Sequence, residues 1–103
     1  MNRGEVWWVG RPELGRRPHL ILTRAGAIAV LHSVIAVPAT RTIRRIPTEV
    51  PLGTRDGMPA DCVLSLDNIT LIPKSLFAER ICRLSIEKMG EVCEALAVAT
   101  GCA

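Results

Sequence analysis

Apolar residues come in short runs broken by proline, glycine and charge, and until the last fifth of the chain they follow strand rather than helical spacing. Residues 5–9, EVWWV, are strand formers closed by Gly10 and Pro12; alternation puts Val6 and Trp8 on one face and Trp7 on the other. One tryptophan is assigned to the core and the other to the cover under the following loop or to a dimer interface, ahead of base stacking. Residues 10–15 read as a mobile surface loop. Residues 18–24 predict a second strand, because proline at a strand's first position removes no interior ladder bond. Arg17, His19, Ile21 and Thr23 then share a face, with Leu20, Leu22 and Arg24 opposite. Residues 25–31 give a turn with at most one helical turn. Residues 34–40 are apolar almost throughout, which predicts a strand buried on both faces, with Pro38 marking an edge or a bulge.

Residues 48–52, 62–66, 68–72 and 77–84 predict four more strands, the middle two joined at Asp67, with residues 53–59 a loop by composition. After Ser85, a good N-cap, the period changes: Ile86, Met89, Val92, Cys93 and Leu96 recur at helical spacing, with Glu87 in the first turn and Gly101 as the stop. Many short strands and one terminal helix define a mostly β, α+β chain: a curled antiparallel sheet with a helix packed on it. At 103 residues it is read as a single domain over 1–103.

Composition sharpens this picture in three places. A hydrophobic content of 49% excludes a disordered chain, and only 22% charged residues implies apolar surface covered by a twin subunit, so a homodimer is expected. The net charge of +3 is unevenly spread: Arg11, Arg16, Arg17, Arg24, Arg41, Arg44, Arg45 and Arg55 face only Glu13 and Glu49 in that part of the chain. Arginine-rich segments suit phosphate recognition, though arginine is also a generic surface residue. Cys62, Cys82, Cys93 and Cys102 form no C-x-x-C and have no histidine pair nearby, which argues against zinc; Cys82 and Cys93 read as buried small hydrophobes. With no leader pattern and no run of membrane-spanning length, a cytoplasmic protein with free thiols is expected.

The candidate chemistry lies where the second strand opens and the third closes. If these strands pair, the Arg17 guanidinium and the Thr40 hydroxyl converge on one anion, because arginine offers a rigid fork of donors that matches a phosphate. Taken singly, Arg17 is also a surface arginine and Thr40 also a strand-end threonine bonding to backbone. His19, two residues from Arg17 on the same face, is the candidate proton-transfer group, set against a packed or interface histidine. Arg16, Arg41, Arg44 and Arg45 are candidates for the path of a nucleic-acid backbone, against a solvated loop. Asp67 and Asn68 are candidates for reading base edges, although a turn between strands accounts for both equally well.

In order along the chain stand Arg3-Gly4-Glu5-Val6-Trp7-Trp8-Val9, then Gly15-Arg16-Arg17-Pro18, the apolar run ending in Thr40, Asp61-Cys62-Val63 with Asp67-Asn68-Ile69, and Arg80-Ile81-Cys82-Arg83-Leu84-Ser85 before the helix. This succession resembles the MazF/PemK family of toxin endoribonucleases and covers nearly the whole chain. The resemblance implies the SH3-like barrel shared by MazF and CcdB, and cleavage of single-stranded RNA without a metal or other cofactor. It implies that Arg17 contacts the scissile phosphate and that Thr40 holds a non-bridging oxygen. The RNA 2'-OH would be the nucleophile, giving 2',3'-cyclic phosphate and 5'-OH ends. A cognate antitoxin with an acidic segment is the implied partner. The loop at 10–15 is shorter than is usual in the family. The rival readings are a CcdB-like gyrase-binding toxin and a catalytically silent member that binds only RNA or antitoxin.

Overall fold

The computed structural model describes residues 1–102. In chain order its elements are β1 (Glu5–Arg11), β2 (Gly15–Ile21), α1 (Ala25–Ile28), β3 (Ser33–Thr40), β4 (Glu49–Leu52), β5 (Cys62–Ser65), β6 (Thr70–Pro73), β7 (Phe77–Arg83) and α2 (Ile86–Thr100). All pairings are antiparallel, in the order β4-β5-β3-β2-β1-β7, with β6 also on β3. The predicted curled sheet with one terminal helix is therefore present, but it stays open: among the described residues β4 and β7 share no ladder.

β1 and β2 run on into the stretch that composition reads as a mobile loop, pairing as far as Arg11 opposite Gly15 and leaving only a 3-10 turn, Pro12–Leu14, between them. Gly10 permits this. Its φ is +117°, and a Cβ there would lie 2.7 Å from the Gly15 carbonyl oxygen.

β3 changes partner along one edge. Its first half pairs with β6, from Ser33 opposite Pro73 to Ala36 opposite Thr70, whereas Ala39 and Thr40 pair with Leu64 and Val63 of β5. Pro38 falls between the two. The Leu22 N–H donates to Ile35 O, so by antiparallel alternation the Val37 groups face β2 and the Pro38 nitrogen faces the edge where the partners change. The missing N–H thus removes no ladder bond, and a proline is accommodated inside a central strand instead of at the expected edge or bulge. The 3-10 turn Leu66–Asn68, which links β5 to β6, fills the gap on that side.

Alternation divides the core in two. Val6, Leu20, Leu22, Val37 and Leu64 pack beneath Val92 and Ala95 of α2, while Val9, Ile21, Ile28, Val34, Ala36, Ile72 and Phe77 form a second cluster on the other face. β3 is buried on both faces as expected except at Ile35, which is exposed opposite exposed Leu71. The Ser85 hydroxyl caps α2 by accepting from Lys88 N at 3.1 Å, and Gly101 ends it at φ +73°. The helix stripe that packs is Met89, Val92, Ala95, Leu96 and Ala99. Two expectations fail here. Ile86 is 89% exposed because it precedes the helix's contact with the sheet, and Cys93 is exposed because it lies one residue round from Val92. Cys82 is half-buried and Cys62 buried.

Glu5 is a buried acid that residue patterning does not flag. Its Oε1 accepts from Asn2 N at 2.8 Å and from Trp7 Nε1 at 3.0 Å, and its Oε2 from Arg80 Nη1 at 3.4 Å. Burial alone pushes its pKa up; the hydrogen bonds from Trp7, Asn2 and Arg80 together outweigh that and hold it below the usual 4.5. A depressed carboxylate pKa stabilises the fold above the unfolded value, and the contribution is lost as pH falls through the folded value. Glu5→Ala should therefore cost about 1–3 kcal/mol near neutral pH. Urea titrations should also show Glu5→Gln losing less stability than wild type on acidification below 4.5.

Candidate active site

The β2–β3 ladder ends with His19 opposite Pro38. Carrying the same register two residues further sets Arg17 opposite Thr40, at the point where the strands are no longer paired. Both side chains line two hollows, one on each face of this sheet end. The larger, about 420 Å³, is lined by Trp8, Arg16, Pro18, Ala39, Arg41 and the segment Met58, Pro59, Ala60 and Cys62. The smaller, about 300 Å³, is lined by Pro38, Arg44, Ser65 and Asn68. Arg17, Thr40 and Thr42 belong to both and form the rim between them.

The charge of this cleft is one-signed. Among the described residues Arg16, Arg17, Arg41 and Arg44 line it and no carboxylate does, and the ion pairs, Arg80 with Glu5 and Lys88 with Glu91, involve none of these arginines. Thr40 Oγ1 accepts from Thr42 N at 3.2 Å, which leaves its own O–H free to donate outward. In the middle of the Arg41 to Pro47 loop, Glu49 Oε1 accepts from both Arg44 N at 2.9 Å and Arg45 N at 3.0 Å, with Arg45 at φ +56°. That clamp carries Arg44 to the cleft.

The sequence candidates therefore separate. Arg17, Thr40, Arg16, Arg41, Arg44 and Asn68 come together; Asn68 Nδ2 also donates to Ser65 Oγ at 2.7 Å. Arg45 is exposed and lines neither hollow. Asp67 accepts from Thr48 Oγ1 at 2.6 Å and also lines neither. His19 is half-buried with Nδ1 3.1 Å from its own strand's Arg17 O, and it too lines neither. Two features escaped the sequence reading, Thr42 on the rim and the wall from Met58 to Cys62, and Trp8 as a cleft wall was ranked too low, behind loop cover and a dimer interface. Trp8 had a usable signal, since its register places it opposite Pro18, beside Arg17. The Met58 wall had none, because it is seated through Gly57, whose φ is +95° and where a Cβ would lie 2.7 Å from Cys82 Cβ, twenty-five residues on. Burial pushes the Cys62 thiol pKa up, so this cleft residue is held as a thiol and is a poor nucleophile.

The fold and site together are an open, curled antiparallel sheet backed by one helix, with an arginine-lined cleft at its end. The chain belongs to the PemK-like, MazF-like toxin family of type II toxin-antitoxin systems, whose sequence model matches residues 2–100. It is 40% identical over 103 residues to the probable endoribonuclease MazF2 of Mycobacterium tuberculosis, covering 99% of this chain and 100% of that protein. Among solved structures it superposes with a TM-score of 0.89 on a mycobacterial endoribonuclease in complex with its cognate antitoxin, at 28% identity over 100% of this chain and 97% of that one. The Mycobacterium tuberculosis toxin MazF-mt6 gives 0.86 at 30% identity, covering 94% and 96%. The resemblance read from the five ordered motifs is borne out, and so is the fold class.

Burial lowers the His19 pKa below 6.5, the neighbouring Arg17 charge adds to this, and the backbone contact opposes it. A histidine pKa depressed on folding leaves stability complete above 6.5 and erodes it as pH falls from there. His19→Gln should flatten that limb: urea midpoints compared above and below 6.5 should differ less in the variant than in wild type.

Proposed function

We propose that the chain is the toxin of a toxin-antitoxin pair and acts as an endoribonuclease on single-stranded RNA, with Arg17 and Thr40 at the scissile phosphate. The observation that carries this reading is the register that sets Arg17 opposite Thr40 on a rim shared by two nucleotide-sized hollows in a carboxylate-free cleft. Hollows of this size admit single splayed nucleotides and not a stacked duplex. The fold is matched end to end by proteins named as endoribonucleases.

In this scheme the 2'-OH gives up its proton to water as it attacks its own 3' phosphorus, the bond to the 5' oxygen breaks and that oxygen takes a proton from water, and the products carry a 2',3'-cyclic phosphate and a 5'-OH. The nucleophile belongs to the substrate, so proximity is supplied by the RNA itself. Arg17 remains charged throughout and stabilises the charge that builds on the phosphorane. The Thr40 hydroxyl donates to a non-bridging oxygen, oriented by the Thr42 N–H that it accepts. Arg16, Arg41 and Arg44 hold flanking phosphates. His19 stands outside the cleft and outside this scheme.

The mycobacterial neighbour was solved with its cognate antitoxin. A partner presenting an extended acidic segment would fit the same arginines here and block the RNA path. The exposed apolar pair Ile35 and Leu71 supports a homodimer, and an RNA substrate supports a cytoplasmic site of action. No helix is long and apolar enough to cross a membrane among the described residues.

Incubation of the purified protein with a long single-stranded RNA in EDTA should give discrete fragments with cyclic-phosphate and 5'-hydroxyl ends. Arg17→Ala should lower kcat/KM by about 100- to 1,000-fold, and Thr40→Val by about 10- to 100-fold. Intact RNA with a folded wild-type protein would overturn the nuclease reading and turn attention to gyrase binding or to binding without cleavage.

A further inference from the structure

The two hollows differ in chemistry, and the difference assigns them different tasks. The larger one is lined by Trp8, Pro18, Ala39, Met58 and Pro59 together with Arg16 and Arg41, and among the described residues no amide or carboxylate side chain lines it. The smaller one is polar: Ser65, Thr42 and Asn68 stand there with Arg44. Because Arg17 and Thr40 lie on the rim between them, a phosphate bound at the rim has one neighbouring nucleoside directed to each hollow.

The two tryptophans are likewise unequal. Trp7 is fixed in the fold: its ring packs edge-on against Phe77 at 6.5 Å and its Nε1 donates to Glu5. Trp8 is half-buried, points to the opposite face, and among the described residues its indole N–H has no hydrogen-bond partner. It stands opposite Pro18 in the β1–β2 ladder, one residue from Arg17. A half-open aromatic face beside a phosphate-binding arginine is the arrangement on which an unstacked base settles, and stacking accepts every base because each has a π face.

We infer that Trp8 is the stacking platform of a sequence-tolerant nucleobase subsite in the larger hollow, so that base identity is read on the other side of the scissile phosphate, in the smaller hollow, by Asn68. The inference deepens the endoribonuclease reading and rests on it. It makes Trp8 a substrate-contacting residue and divides the two flanking positions into one held by stacking and one read by hydrogen bonds. The Asn68 amide keeps its carbonyl oxygen and one N–H free for a base edge after donating once to Ser65.

The test uses the wild-type cleavage site, mapped on long RNA and then placed in a short oligonucleotide. Three substrates and one series are compared: intact, abasic on the 5' flank, abasic on the 3' flank, and a series with each base at the flank that Trp8 serves. Trp8→Leu keeps an apolar side chain without a π face, and Trp8→Phe restores the π face; thermal melting confirms that each is folded. Trp8→Leu should lower kcat/KM roughly 5- to 100-fold and Trp8→Phe should recover most of it. Removing the base at one flank should cost wild type a similar factor and cost Trp8→Leu little more, while removal at the other flank should cost both equally. All four bases at the Trp8 flank should be cleaved within about tenfold of one another. Equal loss in Leu and Phe variants, no loss in Leu, additive losses at both flanks, or a wider spread among bases would each overturn the assignment. If wild type cleaves nothing, the nuclease reading fails separately. Oligonucleotide binding by anisotropy then decides the subsite: weaker binding by Trp8→Leu, abolished on the abasic strand, supports it, and equal Kd values overturn it.

Discussion

β3 holds β2 on one edge and exchanges β6 for β5 on the other, with Pro38 at the exchange. Each strand offers a fixed row of donors and acceptors, so a change of partner inside a central strand ordinarily strands a buried N–H. A residue that lacks the N–H on that side removes the difficulty. With the exchange satisfied, β5 can splay from the line of β6, the sheet curls, and the ends of β2 and β3 open beyond His19 and Pro38. Arg17 and Thr40 stand where that opening begins. A different residue at 38 would restore a donor facing a turn, Leu66–Asn68, that has no ladder acceptor to offer.

The same exchange explains why the cleft has two chemistries. Side chains alternate along every strand, so the rim residues separate a face continuous with the α2-covered core from a face continuous with the Phe77 core. On the first face the neighbours are necessarily apolar, since Ala39, Met58 and Cys62 are also members of the core that packs under α2. On the second face the neighbours come from where regular pairing stops: Ser65 ends β5, Asn68 closes the turn that follows it, and Thr42 and Arg44 lie in the loop after β3, and such positions favour polar residues. Polarity at the active end is thus inherited from what each face does further back in the fold.

The strands, the terminal helix and the order of elements were legible because each depends on local pattern: alternation from Val6 to Val9, the Ser85 cap, the Gly101 stop. Arg17 and Thr40 were legible as neighbours because the pattern implies that their strands pair, although Arg17 lies inside β2, opposite Val9, and not at its start. What escaped depends on distance in sequence or on competition between partners. Residues 10–15 have loop composition, yet hairpin pairing extends through them once Gly10 accepts a positive φ. The exposure of Cys93 turns on how α2 is rotated against the sheet, a matter of about 100° per residue that a periodic pattern of small residues does not fix. Asp67 and Asn68 are adjacent and equally suited to a turn, but Thr48 captures one and leaves the other facing the cleft. That choice is made by β4's neighbourhood, nineteen residues upstream of Asp67.

Gathering Arg16, Arg17, Arg41 and Arg44 around one cleft without a lining carboxylate works against the free protein's own stability. At solvent-exposed separations the mutual repulsion is modest, about 1 kcal/mol or less per pair in bulk water, and it is further reduced by salt. The fold limits the rest by keeping the arginines on different elements, two on β2, one just after β3 and one in the loop clamped by Glu49, so that none must be buried against another. A polyanion entering the cleft relieves the repulsion and gains the attraction at the same time, which a cleft already neutralised by its own acids could not offer. Any ligand that engages these arginines therefore competes on charge first and on shape second. An acidic peptide and an RNA strand would exclude each other here even if their remaining contacts had nothing in common.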